Sequence, residues 1–107
     1  MLGTFEQFVL QAVMAQAGNG YGTTILEAVS EMAGRDISIG ALYTTLSRLE
    51  AKKFVKSRIG EATPERGGRA KKYFTIQAPG VRALREAEAA AHRLWRLAPG
   101  AIHDAFS

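Results

Sequence analysis

The chain has 107 residues, enough for one domain with a modest core and too few for a two-domain enzyme with a cleft between the halves. Apolar residues make up 47% and charged residues 22%, a globular balance that excludes a disordered chain. There is no cysteine, which removes disulfide frameworks, thiolate metal sites and cysteine nucleophiles. No run approaches the length of a membrane span and no basic-then-apolar leader opens the chain, so a cytoplasmic protein without membrane contact is expected.

The net charge of +4 is unevenly distributed. Residues 1–51 carry two basic against five acidic side chains, whereas residues 52–72 carry eight basic (Lys52, Lys53, Lys56, Arg58, Arg66, Arg69, Lys71, Lys72) against two acidic. A cationic cluster of this kind is the usual footprint of a phosphate-binding surface, because neutralising phosphates releases condensed counterions. A solvated basic loop has the same composition.

Thr4 followed by Gln7 forms a capping-box pattern for a first helix, with Phe5, Phe8, Val9, Ala12 and Val13 on one face. Leu10, Met14 and Ala17 lie outside that stripe, a surplus of apolar surface that suggests a second partner. Gly18-Asn19-Gly20 should end the helix. A second helix is expected from about Tyr21 to Met32, with Ile25, Leu26, Val29 and Met32 inward and Gly34 closing it. Ser38 can cap a third helix from about Ile39 to Lys52, whose stripe is Ile39, Leu42, Leu46 and Leu49. At 100° per residue, Gly40, Thr44, Ser47 and Arg48 point to the opposite side, with Tyr43 at the border. That face is short and polar where a surface helix normally carries long side chains, so it can be approached closely.

Periodicity then changes to alternation. Val55, Ser57 and Ile59 oppose Lys56 and Arg58, and Lys72, Phe74 and Ile76 oppose Lys71, Tyr73 and Thr75. Pro64 and Gly67-Gly68 between them read as the tip of a basic hairpin, which must lean on the helices to be stable. Pro79 suits the first turn of a last helix running to about Leu97, with Val81, Leu84, Ala87, Ala91, Leu94, Trp95 and Ala98 on one stripe. That stripe is too long for the small helical body to cover. Pro99-Gly100 should break the helix before a short tail.

The expected fold class is therefore mainly α with a small β-hairpin. It comprises a winged helix-turn-helix over residues 1–77 and a long C-terminal helix with its tail over residues 78–107, forming one compact unit. Particular residues carry a family likeness: Leu2-Gly3-Thr4-Phe5-Glu6, Tyr21-Gly22, the run from Ile39 to Glu50, and Arg69-Ala70-Lys71-Lys72-Tyr73-Phe74 with Gly80 and Leu84 beyond. In these the chain resembles the PadR family of bacterial transcriptional regulators over roughly residues 2–97, most specifically around Leu42-Tyr43, Leu46 and Leu49-Glu50. It departs from the family at Thr44, where Pro is usual, at Lys53, where Gly ends the recognition helix, and at Gln77, where Thr commonly caps the last helix. A left-handed backbone at Lys53 would carry a Cβ penalty of about 1 kcal/mol.

The winged-helix plan gives binding two tasks. Gly40, Tyr43, Thr44, Ser47 and Arg48 would read base edges, with Arg48 the natural bidentate donor to guanine. Lys56, Arg58, Arg66, Arg69, Lys71 and Lys72 would meet phosphates, with Arg66 or Arg69 able to enter a narrow minor groove. Tyr21 could reach a phosphate beside a helix start; for both Tyr21 and Tyr43 the alternative is half-buried packing. One winged helix covers too little DNA for useful specificity, so a homodimer on a palindromic operator is expected, built from Leu10, Met14, Leu84, Ala91, Leu94, Trp95 and Ala98. The resemblance further implies a repressor released by an aromatic or hydrophobic small molecule. Trp95 could stack on such a molecule with Phe8 and Met14 as walls, or could simply anchor the dimer. No cofactor is expected. An enzyme finds little support, since His92 and His103 stand near no nucleophile or metal-ligand spacing. The remaining alternative is a winged helix that binds protein or RNA.

Overall fold

A computed structural model describes residues 2–60 and 70–97. Four helices and three short strands follow in the order α1 (Thr4–Ala15), β1 (Gly20–Tyr21), α2 (Gly22–Ala33), α3 (Ile39–Ala51), β2 (Val55–Ile59), β3 (Lys72–Ile76) and α4 (Ala78–Leu97). The expected winged helix-turn-helix with a long last helix is the observed architecture. The hairpin, however, belongs to a three-stranded antiparallel sheet in the order β1-β3-β2. Its added strand is Gly20–Tyr21, which pairs with Phe74 and Tyr73, so Tyr21 precedes α2 instead of opening it. The expected tip, including Pro64, Arg66, Gly67-Gly68 and Arg69, lies outside the described residues, as does the tail from Ala98 onward.

Helix α1 is the hub, packing against α2, α3, α4 and β3. Its cap differs from the sequence expectation. Gly3 is the N-cap, and the Glu6 carboxylate, not Gln7, reaches back to accept the Gly3 N–H at 3.0 Å. The same carboxylate meets Lys52 Nζ at 3.3 Å, so the start of α1 is tied to the end of α3. Four neighbours require a wide apolar arc rather than a narrow stripe. Val9, Leu10, Ala12 and Val13 are all fully buried, while Phe5 and Phe8 are half-buried at the margin. The assignment of Leu10 to a dimer surface is therefore overturned: burying a leucine within its own chain already contributes about 1.5–3 kcal/mol. Helix α1 also stops earlier than expected, at Ala15, with left-handed Ala17 (φ 51°) and Gly18 (φ 82°) turning the chain into β1.

Helix α2 ends as expected at left-handed Gly34 (φ 69°), although Met32 is exposed instead of inward. Ser38 caps α3 by accepting the Ala41 N–H at 3.1 Å. Leu42, Leu46 and Leu49 point into the core together with Thr45, whereas Ile39, in the first turn beyond the reach of the core, is 47% exposed. From the sheet, Val55 and Phe74 complete the core; Ile59, near the outer end of β2, is exposed.

The α3–β2 turn passes through Lys53, whose φ of 63° is the left-handed conformation that the departure from Gly makes costly. Here α4 is fastened. The Gln77 N–H donates to Phe54 O at 2.8 Å; with its side-chain amide assigned the orientation that satisfies both ends, the amide nitrogen donates to Lys53 O and Val55 O, each at 3.1 Å. Gly80 is buried so closely on Phe54 O that a Cβ would collide with it. Leu84 is 8% exposed and joins this protomer's core while also lining the groove between α1 and α4. Beyond it the helix leaves the body: Leu94, Trp95 and Leu97 are exposed. No helix among the described residues is long and apolar enough to cross a membrane.

The Gly3 N–H and then the Lys52 ammonium hold the Glu6 carboxyl below its ordinary value of 4.5, with partial burial opposing them. A carboxyl depressed on folding contributes stability that is present above the unfolded value and lost as pH falls through the folded one. Glu6→Gln should therefore lower unfolding stability by about 0.5–1 kcal/mol at neutral pH. In urea titrations across pH, the gap from the parent protein should close below the ordinary carboxylate range.

Candidate nucleic-acid interface

Because Leu42, Thr45, Leu46 and Leu49 are turned into the core, the opposite side of α3 faces outward as a surface of small polar residues. Gly40, Ala41, Thr44, Ser47 and Arg48 are exposed, and Tyr43 is 41% exposed. A Cβ added to Gly40 would meet nothing within 4 Å, so the backbone near the start of α3 is openly accessible. The packing alternative for Tyr43 has a structural counterpart. A Cβ on Gly22 would overlap the Tyr43 hydroxyl and Cζ, so the tyrosine lies against the first turn of α2 where only glycine leaves room. The outer face of α3 thereby adjoins the residue that follows Tyr21.

Tyr21 in turn opens onto the sheet. Register aligns Arg58 of β2 with Tyr73 of β3, and Tyr73 with Tyr21 of β1, so the three form one row across the strands. Arg58 Cζ lies 4.6 Å from the Tyr73 ring centroid, the Tyr73 and Tyr21 rings meet edge to face at 5.7 Å, and Lys71 Nζ lies 4.3 Å from the Tyr21 centroid. Lys56, two residues before Arg58, shares that outer face by alternation and is exposed. The expectation groups Lys71 with Lys72, but Lys71 immediately precedes β3 and successive residues of extended chain point to opposite faces. Lys72 Nζ is 3.9 Å from Glu50 Oε1 and lies over the Phe74 ring instead. Glu50 also accepts a hydrogen bond from Ser57 Oγ at 2.6 Å, so this carboxylate braces the base of the sheet against α3.

Sequence reasoning missed Tyr73 as a member of the row and Gly22 as the seat of Tyr43. The only available signal for either was its position beside an already selected residue. Arg66 and Arg69 fall outside the described residues. Among the described residues no cluster of His, Cys, Asp and Glu could hold a metal ion.

The other assigned residues gather elsewhere. Met14, Leu84, Ala91 and Trp95 line a groove of about 720 Å3 between α1 and α4, together with Gln7, Gln11, His92 and other α4 side chains. Phe8 is half-buried against the core, outside that lining, and Leu94 is exposed but does not line it. Leu10 is absent from the groove because it is consumed by the core.

A helix-turn-helix whose third helix offers a shallow polar face, flanked by a cationic strand pair, defines the winged-helix class. A sequence profile of the transcriptional regulator PadR-like family matches residues 9–86, and the chain belongs to that family. It is accordingly a DNA-binding transcriptional regulator, from a family of regulators and not of enzymes. Solved structures share the fold. A PadR-like transcription factor from Bacteroides fragilis superposes with a TM-score of 0.76 at 23% identity, over 91% of this chain and 88% of the other. A PadR-like transcriptional regulator from Bacillus cereus does so with a TM-score of 0.72 at 19% identity, over 98% and 93%. A PadR family regulator from Eggerthella lenta reaches 26% identity with a TM-score of 0.66, over 90% and 81%. No curated protein matches the sequence.

The Gly22 contact makes a direct prediction. Gly22→Ala should push the Tyr43 hydroxyl off its seat and destabilise the fold by no more than about 1 kcal/mol, the low end for overpacking, because the half-exposed ring can give way, measured by urea denaturation. Truncating Tyr43 to Ala in the same chain should recover part of that loss; no recovery would mean that the strain lies elsewhere.

Proposed function

We propose that the protein binds a palindromic operator as a twofold homodimer and acts as a repressor released by an aromatic or hydrophobic small molecule. In this reading, residues 1–77 engage DNA and residues from 78 onward assemble the dimer. Gly40, Tyr43, Thr44, Ser47 and Arg48 read the major groove, where the exposed Arg48 supplies the long bidentate donor. Lys56, Arg58 and Lys71 contact the backbone from the outer sheet face, with Tyr21 beside them and Arg66 and Arg69 beyond. Lys72, shared with Glu50, contributes less.

The observation that carries the reading is the continuity of two surfaces: the shallow face of α3 joins the cationic face of the sheet through Tyr43, Gly22 and Tyr21. A duplex laid on one therefore meets the other. Support for the dimer comes from α4, where Leu94 is 63%, Trp95 49% and Leu97 80% exposed; a cluster of large apolar side chains on an amphipathic helix marks an assembly surface. Support for an effector is the α1–α4 groove, whose volume falls within the range of about 300–1,000 Å3 usual for small-molecule sites. Trp95 on its wall offers a flat ring for stacking.

The test combines sedimentation with DNA binding to the region upstream of the protein's own gene. A dimer at micromolar concentration is expected, with log affinity falling against log salt by several units if five or six phosphates are neutralised. Arg48→Ala should cost about 1–3 kcal/mol on the preferred site and relax the preference at one position of each half-site. A monomer, or an affinity indifferent to salt, would contradict the proposal. Flat aromatic compounds should quench Trp95 fluorescence and weaken DNA binding together; the absence of both effects would remove the effector from the scheme.

A further inference from the structure

We propose that Tyr73 is a positioning residue for DNA binding: its ring, with that of Tyr21, holds Arg58 and Lys71 as a two-cation clamp for the DNA backbone. The inference rests on the reading of the outer sheet face as a phosphate-contacting surface, and adds how that surface is ordered before DNA arrives.

The row Arg58–Tyr73–Tyr21 is fixed by strand register. Directly opposed side chains on neighbouring strands are in contact, and a residue two positions along the strand is within diagonal reach of a ring. Arg58 takes the direct position over Tyr73 and Lys71 the diagonal one over Tyr21, at 4.6 and 4.3 Å, within the separation at which a ring quadrupole attracts a cation. The Tyr73 ring is fixed on its other sides. It meets the Tyr21 ring edge to face, and it overlies Gly60, where a Cβ would collide with Cδ2 and Cε2. Arg58 Nη2 also donates, at a long 3.4 Å, to Gly18 O in the turn that leads into β1. A ring so enclosed is poorly placed to stack on a base. It is well placed to remove rotamer freedom from Arg58, as the Tyr21 ring that it abuts is from Lys71, before either cation would lose it on meeting a phosphate. Lys56 provides the contrast, since it shares the outer face but lies opposite Thr75, which offers no ring.

The experiment measures affinity of the full chain for a mixed-sequence duplex of about three helical turns at several salt concentrations. The variants are Tyr73→Phe, Tyr73→Leu, Arg58→Ala, Lys71→Ala and the Tyr73→Leu/Arg58→Ala double. Arg58→Ala and Lys71→Ala should each weaken binding and reduce the salt slope by about 0.9. Tyr73→Phe should bind like the parent, and Tyr73→Leu should bind about three- to tenfold more weakly. The double variant should lose less than the product of its two single losses.

Normal binding by Tyr73→Leu, with weakened Arg58→Ala and Lys71→Ala, would overturn the positioning role while leaving the phosphate surface intact. Normal binding by both cation variants would remove the phosphate surface and the inference with it. Equal losses in Tyr73→Phe and Tyr73→Leu would make the hydroxyl a direct DNA contact and overturn the proposal. Should Tyr73→Leu not fold, nitrogen relaxation of Arg side chains in the unaltered protein decides. Arg58 Nε should be as ordered as the sheet backbone; mobility equal to that of Arg82, exposed on α4, would overturn the proposal.

Discussion

The placement of every working part depends on the turn from Lys53 to Val55. Recognition helix α3 enters it, the sheet leaves it, and α4 is fastened to it. Three consecutive carbonyls are taken up by Gln77, two by its side chain and one by its backbone N–H. Gly80 lets α4 rest on the middle carbonyl without a side chain between them. Buried backbone acceptors need partners, so one residue satisfies the turn and fixes the departure of the last helix. Gln77 is a poor helix cap by type, but its reach across the turn gives it a bracing role that a shorter threonine side chain could not fill from the same position.

From that turn the molecule separates into two faces with different chemistry. On one, α3 contributes small polar side chains and the sheet contributes cations steadied by aromatic rings. On the other, α1 and α4 leave a groove of mixed polar and apolar lining and an exposed tryptophan. Neighbouring carboxylates hold parts of the frame together. Glu6 ties α1 to Lys52 at the end of α3, and Glu50 ties α3 to Ser57 and Lys72 in the sheet. These acids withdraw Lys52 and Lys72 from the cationic reserve and leave Lys56, Arg58 and Lys71 as the forward charges.

Much of this was legible from the sequence. The Ser38 cap, the Leu42, Leu46, Leu49 stripe and the polar face opposite follow from helical spacing alone, and Gly34 closes α2 as its type suggests. Strand β1 was not legible because two residues cannot display an alternation. Leu10 shows where a single-stripe reading of a helix fails. A stripe argument assumes one core-facing side per helix, whereas α1 has neighbours on four elements, and the first half of α4 turns Gly80 and Leu84 inward while the residues around them stay partly or fully exposed. Lys72 was grouped with Lys71 by charge, although strand alternation sends the two apart. Tyr73 emerged only when register set it between Arg58 and Tyr21.

The central claim is that the outer face of α3 and the outer face of the sheet meet DNA as one surface. Backbone amide shifts followed by NMR during titration with operator duplex test it most directly. The account predicts that Gly40 to Arg48, Tyr21, Arg58, Lys71 and Tyr73 shift together along a single binding curve, while the groove residues Gln11 and Met14 remain still. Shifts confined to α4, or separate curves for α3 and the sheet, would contradict it.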